Sequence, residues 1–270
     1  MSVSERIICL TEESVETLYL LGKESSIVGV SEYVERPPEA TLLPKVSQFV
    51  RSNVEEIVNL RPTLVLGFSD IQKDIASQLI GRGLNVFITN QRSLQEILDY
   101  IEMLGRLVGA EGKARSLVQD FRLRLEDTRR MGSSLPKRPR VYFEEWDRPR
   151  LSAIRWVSEL IEICGGENIF SDHLGAMARD REVTDELVLE RRPEVIFGCW
   201  CGKPVKLEKI RGRAGYEELP AVKKDFIWEL PPAVFLQPGP ALFLDGLNQM
   251  YTYIRQGALD VGEIGPILKT

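Results

Sequence analysis

Histidine is nearly absent from this 270-residue chain, with His173 the single example. That excludes a His-rich zinc site and an H-E-x-x-H helix. The four cysteines, Cys9, Cys164, Cys199 and Cys201, are not spaced as a disulfide framework, and Cys199 and Cys201 sit too close for an easy bridge. Such usage favours a reducing compartment, with the thiols as small buried groups at a strand end. No apolar run approaches the ~20 residues of a membrane helix. There is no G-x-S-x-G hydrolase elbow, no Walker-type phosphate loop and no G-x-G-x-x-G dinucleotide turn. Positive charge is not in excess. The net charge is −5, so there is no global field for nucleic acid. The most basic stretch, residues 129–140, carries Gly132, Ser133, Ser134, Pro136 and Pro139 and reads as a solvated connector. The first ten residues hold neither a long apolar run nor a cleavage site, so no secretory signal is read there. The expected location is cytoplasmic, unless a leader has been trimmed.

What is present is ordinary globular material: 43% hydrophobic and 28% charged residues, in a length that suits two lobes. Residues 6–10, 26–30, 63–66 and 84–88 read as strands, and residues 11–21, 53–60 and 71–80 as helices. Thr11 and Asn53 supply caps, Gly22 and Gly81 supply stops, and Arg36-Pro37-Pro38 breaks regular structure. Such alternation implies a parallel sheet covered by helices. From Leu94 to Leu125 apolar residues recur at spacings of three and four, which predicts a helix of ~35 residues and ~50 Å over 93–131. Its reading is a rigid connector; the alternative is two packed helices broken near Gly109. A second lobe follows, with strands at 140–143, 194–197 and 226–230. Its helices are expected at 152–164, 185–191 and 240–255. The expected division is therefore 1–92, 93–135 and 136–270, two Rossmann-like α/β lobes on a long helix.

The chain also echoes itself. At a constant offset of 131 residues, Glu55/Glu186, Ile57/Val188, Val58/Leu189, Arg61/Arg192, Pro62/Pro193, Leu64/Val195, Val65/Ile196 and Gly67/Gly198 correspond. In both copies a capped helix meets Arg-Pro, then a buried strand, then glycine. Proline disfavours a right-handed helical conformation at its predecessor, and glycine is expected to ease a sharp turn out of the strand. Two such lobes joined by a helix predict a ligand cleft between the lobes, at strand carboxyl ends, where open α/β sheets bind ligands.

Aromatic residues mark four predicted strand exits: Tyr33, Phe68, Trp146 and Trp200. That set suits a large, flat, partly apolar ligand. Trp156 joins either the site or the core. Ser69, Asp70, Glu144, Glu145, Lys203 and Gln237 are polar candidates for ligand amides.

Several motifs carry a resemblance. Ile27-Val-Gly-Val-Ser-Glu-Tyr33, Arg36-Pro-Pro-Glu-Ala40, Pro44-Lys-Val46 and residues 55–67 resemble the helical-backbone (class III) substrate-binding proteins of ABC importers for cobalamin, haem and iron–siderophores. Cys164-Gly-Gly-Glu-Asn-Ile-Phe170, Arg192-Pro-Glu-Val-Ile196 and Gly215-Tyr-Glu-Glu-Leu-Pro-Ala-Val222 look similar to the same class. Glu145-Trp146 and Gly198-Cys-Trp-Cys-Gly-Lys203 are most similar to its cobalamin-binding branch. The resemblance implies a corrinoid held without side-chain ligation of cobalt, no catalytic cofactor, no resident metal and no enzymatic activity. It implies that the cobalamin-binding branch has an aromatic at the position of Phe68, and that Tyr33 falls in a ligand-contacting segment. It further implies docking on a permease through one carboxylate per lobe, Asp74 in the first and Glu217 or Glu218 in the second. A monomer is expected. Members serving importers are exported or lipid-anchored, an export signal this sequence does not show.

Two rivals stand beside that expectation. A ferric siderophore or haem binder would use Arg148, Arg150 and Arg155 on anionic groups. A cytoplasmic tetrapyrrole-handling protein or chelatase-like enzyme would need a proton relay, for which His173 with Glu144 or Glu145 is the available set.

Overall fold

Short aliphatic runs form the strands, because a parallel strand is covered on both faces and must be apolar throughout. The computed structural model describes residues 5–173 and 175–260. They fall into two units. The first comprises residues up to Gln91, Gln95–Gln119 and Gln237–Ala241; the second comprises Arg92–Leu94, Asp120–Leu236 and the residues from Leu242.

The first unit contains β1 (Ile7–Cys9), α1 (Glu12–Leu20), β2 (Ile27–Ser31), β3 (Lys45–Gln48), β4 (Arg51–Ser52), α2 (Val54–Asn59), β5 (Leu64–Phe68), α3 (Lys73–Gly81) and β6 (Val86–Thr89). The sheet order is β4-β3-β2-β1-β5-β6, parallel except for β4 against β3. Ile8, Leu10, Val46, Ile57, Val65, Ile75 and Leu79 form a core beneath it. β3 and β4 have no counterpart in the sequence expectation. Lys45-Val-Ser-Gln48 offers a single aliphatic residue, too little to stand out as a strand after the Pro37-Pro38 break.

Then come α4 (Leu94–Leu107) and α5 (Glu111–Ser133). The continuous helix expected over 93–131 is therefore corrected to two. Gly109 has φ +64°, Gly109 N–H donates to Arg106 O, and Ala110 N–H donates to Gly105 O at 2.7 Å. That is a Schellman stop, which glycine adopts without Cβ strain. Amphipathic spacing continues through the break because both helices bury the same kind of face.

The second unit contains β7 (Arg140–Glu144), β8 (Trp146–Asp147), β9 (Arg150–Leu151), α6 (Arg155–Ile163), β10 (Glu167–Asn168), α7 (Asp185–Arg191) and β11 (Val195–Gly198). It continues through α8 (Leu207–Arg211), α9 (Pro220–Lys223), β12 (Ile227–Glu229), α10 (Pro232–Phe235) and α11 (Leu247–Leu259). β10-β7-β11-β12 form a parallel sheet, and β8 and β9 a small antiparallel hairpin. Tyr142, Phe170, Ile196, Trp200 and Tyr216 belong to its core. The final helix expected at 240–255 begins instead with a π-helical turn, Leu242–Gly246.

The internal echo has a structural counterpart. Arg61 and Arg192 both take the left-handed conformation, φ +48° and +47°, immediately before Pro62 and Pro193. Asn53 and Thr184 both cap the preceding helix, accepting from Glu56 N–H and Leu187 N–H. The glycines serve a purpose other than the expected turn. A Cβ at Gly67 would stand 2.7 Å from Ile88 Cδ1, and one at Gly198 2.5 Å from Val205 Cγ1. Each strand exit is bare so that a neighbouring side chain can cross it.

A comparison of two glycines tests this account. Gly109 has open space around it, so Gly109→Ala should cost only the left-handed penalty, about 1 kcal/mol. At Gly105 a Cβ would stand 2.3 Å from Ala114 Cβ, so Gly105→Ala must push α4 off α5 and should cost more, up to about 3 kcal/mol. Urea melts of both variants would show the order; equal midpoints would contradict it.

Candidate functional site

In the first unit the parallel strands deliver their following loops to one edge of the sheet. β1 leads to Thr11, Glu12 and Glu13, β2 to Glu32 and Tyr33, β5 to Ser69, Asp70 and Ile71, and β6 to Asn90 and Gln91. Three large apolar side chains stand in solvent there: Tyr33 (50% exposed), Val50 (59%) and Ile71 (49%). Polar links draw their loops together. Gln48 Nε2 donates to Glu32 Oε2 at 3.0 Å, beside Tyr33. Buried Gln72 accepts from Phe68 N–H at 2.9 Å and donates to Phe49 O at 3.0 Å, joining the loops of Ile71 and Val50. These three thus stand on one rim whose loops are tethered to one another.

Ser69 is fully buried, with φ +70° and ψ 160°, a region nearly reserved for glycine. Its hydroxyl accepts from Ile71 N–H, and its own N–H donates to Thr89 O at 2.6 Å. Ser69 thus shapes the turn that turns Ile71 outward. Phe68 is the last residue of β5 and is buried. Gln237 reaches this edge from the C-terminal part of the chain, where its side chain meets the Glu12 carboxyl.

The first turn of α1 holds two carboxyls the sequence reading did not single out. Glu13 is 1% exposed, with Oε1 accepting from Thr11 Oγ1 at 2.6 Å. Burial raises Glu13 from 4.5 to about 7, and burial together with Glu13 raises Glu12 from 4.5 to about 8. The helix N-terminus favours negative charge here, but desolvation outweighs it. An acidic pair directly after the first strand was the available signal.

The second unit presents a different surface. Glu144, fully buried at the end of β7, accepts from Tyr142 Oη (3.0 Å), Trp200 Nε1 (3.1 Å) and both terminal nitrogens of Arg213 (2.5 and 2.8 Å). Burial works against the Arg213 charge, yet Glu144 holds its guanidinium above the ordinary range. Glu144 is thus a saturated structural hub, which corrects its reading as a ligand contact. Glu145 is gripped by buried Arg181, which also donates to Ser152 O at 2.6 Å. Lys203 Nζ lies 3.8 Å from the Trp146 ring centre and 4.9 Å from that of Trp200, and pairs with Asp147. Burial opposes the Asp147 charge, but Lys203 wins and its pKa falls.

Glu145, Trp146, Trp200 and Lys203 therefore share one patch, with Trp146 half-buried and Trp200 buried. Trp156 does not join them: it is buried on α6, its Nε1–H donating to Phe235 O at 2.9 Å. Cys199 is buried, with its thiol pushed up by desolvation, whereas Cys201 is exposed, unlike the pair of buried thiols expected. Asp74, Glu217 and Glu218 are exposed, and Glu218 pairs with Lys223. His173 packs edge-on against Phe170 at 5.4 Å. With Glu144 saturated and Glu145 ion-paired, the relay a chelatase would need is not assembled. Among the described residues no group of three His, Cys, Asp or Glu is placed to hold a metal, and no helix is long and apolar enough to cross a membrane.

The raised Glu13 pKa sets a sign. Folding holds that proton up to about pH 7, while the unfolded chain releases it near 4.5, so the folded state is favoured at acidic pH and loses that advantage as pH rises through 7. Glu13→Gln should therefore melt several degrees above the parent at pH 8.5, with the gap closing by pH 5. Scanning calorimetry at the two pH values checks this; a gap independent of pH would count against the assignment.

Comparison with known proteins agrees with this architecture. The family model described as periplasmic binding protein matches residues 7–234. A vitamin B12-binding protein of Vibrio cholerae serotype O1 is 31% identical over 257 residues, covering 93% of this chain and 90% of its own. The crystal structure of the periplasmic vitamin B12 binding protein BtuF of Vibrio cholerae has a TM-score of 0.77 at 30% identity, covering 94% of this chain and 97% of that one. The periplasmic heme-binding protein RhuT from Roseiflexus sp. RS-1 has a TM-score of 0.83 at 23% identity, covering 95% of this chain and all of that one, a likeness of fold alone. On the family match across residues 7–234 and a relative 31% identical over nearly its whole length, this chain belongs to the periplasmic binding protein family.

Proposed function

We propose that the chain captures a corrinoid such as cobalamin for an ABC importer, as a binding protein without catalysis, working outside the cytoplasm. The observation that carries this reading is the apolar rim of Tyr33, Val50 and Ile71, set over strand ends rich in hydrogen-bond acceptors. A corrinoid is a large macrocycle with apolar faces and edges and an amide-bearing periphery, which such a rim covers. In the second unit, Trp146 with Lys203 across its ring offers a flat, amphipathic contact. Phe68, Trp200 and Glu145 back these surfaces rather than forming them. The vitamin B12-binding relatives support the same ligand class. Asp74 on α3 and Glu217 beside α9 are the proposed docking carboxylates, which would pair with arginines on the permease.

The anionic alternative has less to work with. Arg150 pairs with Asp185 at 2.6 Å and Arg155 with Glu159 at 3.0 Å, so two of the three arginines suited to siderophore or haem carboxylates are already neutralised.

Equilibrium dialysis with cyanocobalamin tests the proposal. One ligand should bind per chain, at micromolar affinity or tighter. Tyr33→Ala and Trp146→Ala should each weaken binding about tenfold, about 1.4 kcal/mol, with the melting temperature of Tyr33→Ala unchanged and Trp146→Ala, whose ring also packs on the core, still folded by its melting curve. No binding at high micromolar ligand, alongside saturable binding of haem or a ferric siderophore, would transfer the function to the alternative.

A further inference from the structure

Buried polar atoms without partners are rare, and in the first unit three of them, besides Lys45 Nζ on β3, belong to residues at the ends of β1 and β6. Glu13 Oε2 and Gln91 Oε1, on residues 1% and 4% exposed, both lack a hydrogen-bond donor among the described residues; Thr89 Oγ1, at the end of β6, also lacks a partner. Glu13 follows β1 and Gln91 follows β6. A single short strap, Gln237–Pro238–Gly239, connects them. Gln91 Nε2 reaches Pro238 O at 3.5 Å, and Gly239 presses so closely on α1 that a Cβ there would stand 2.6 Å from Glu13 Cβ. Gln237 also meets the half-buried Glu12 carboxyl, on which the charges of Glu13 and Glu35 act. The place is rich in acceptors, and two buried ones, Glu13 Oε2 and Gln91 Oε1, are left without donors among the described residues.

We propose that Glu12, Glu13, Gln91 and Gln237 form a subsite that receives the N–H edge of a carboxamide on the ligand, and that it selects amide-rimmed macrocycles over carboxylate-rimmed ones. The inference rests on the corrinoid reading and deepens it. A primary amide brings two N–H donors to acceptors that have none, and its uncharged group meets no repulsion from the two glutamates. A carboxylate in the same position brings no donor and, above about pH 8 where both glutamates are ionised, adds a third negative charge beside them. A corrinoid carries peripheral amides where haem and many siderophores carry carboxylates, so this one subsite separates the ligand classes that share the fold.

The test compares cyanocobalamin with its three monocarboxylic acids, each with one propionamide hydrolysed to propionate, by equilibrium dialysis on the full chain at pH 9, where Glu12 and Glu13 are both ionised. For the parent protein, at least one monoacid should bind tenfold or more weakly than cyanocobalamin. In Glu12→Gln/Glu13→Gln that deficit should shrink below threefold. Because Glu13 is buried, Glu12→Gln alone serves as the second variant and should reduce the same deficit by at least half, with melting curves establishing that each variant is folded. Equal binding of all four ligands by the parent protein, within twofold, would overturn the subsite while leaving the corrinoid reading in place. So would a deficit unchanged in the folded variants. Failure of the parent protein to bind cyanocobalamin at all would overturn both.

Discussion

A parallel strand cannot be reached from its neighbour by a tight turn; the chain must cross back over a face of the sheet before it can enter again. Every strand that follows this rule releases its next loop at the same edge. β1, β2, β5 and β6 obey it in the first unit, and β7, β11 and β12 in the second. The site candidates are side chains that this constraint gathers, although they lie far apart in sequence. Glu13, Tyr33, Ile71 and Gln91 share an edge because four parallel strands end there.

The two units treat buried charge in opposite ways. Glu144 has its acceptors filled by Arg213, Trp200 and Tyr142, and the result is a fixed support for an aromatic side chain. Glu13 has Thr11 on one oxygen and, among the described residues, no partner on the other. A saturated carboxylate stabilises its surroundings, whereas an unsaturated one costs free energy until a donor arrives. Pairing also engages residues that the rival readings would use: Glu145 is held by Arg181, and Arg150 and Arg155 are held by Asp185 and Glu159. The same polypeptide architecture occurs in heme-binding and vitamin B12-binding proteins. Discrimination must therefore come from side chains at the strand ends rather than from the sheets.

Much of this was legible in the sequence, for local reasons. The Arg-Pro pairs forecast two helix stops, and both arginines are left-handed. Asn53 and Thr184 cap the helices they precede, because capping needs only a side-chain oxygen three residues from a free N–H. Lys45-Val-Ser-Gln48 went unread because an edge-side strand with one aliphatic residue takes its identity from its neighbour. The break at Gly109 was legible only as an alternative, because two helices can share one apolar spacing. Tyr33 and Trp146 stood out as aromatics, but nothing local distinguished them from Trp156 and Trp200, which are buried.

The sequence by itself determined the α/β alternation, the paired helix–Arg-Pro–strand units and the family, since these depend on propensities and contacts within a few residues. Only the tertiary structure decided which polar groups face one another. It placed Gly239 on Glu13, Arg213 on Glu144 and Lys203 over Trp146. Desolvation and pairing are properties of position in space, so whether a carboxylate is a strut or an open acceptor is fixed only when distant segments meet.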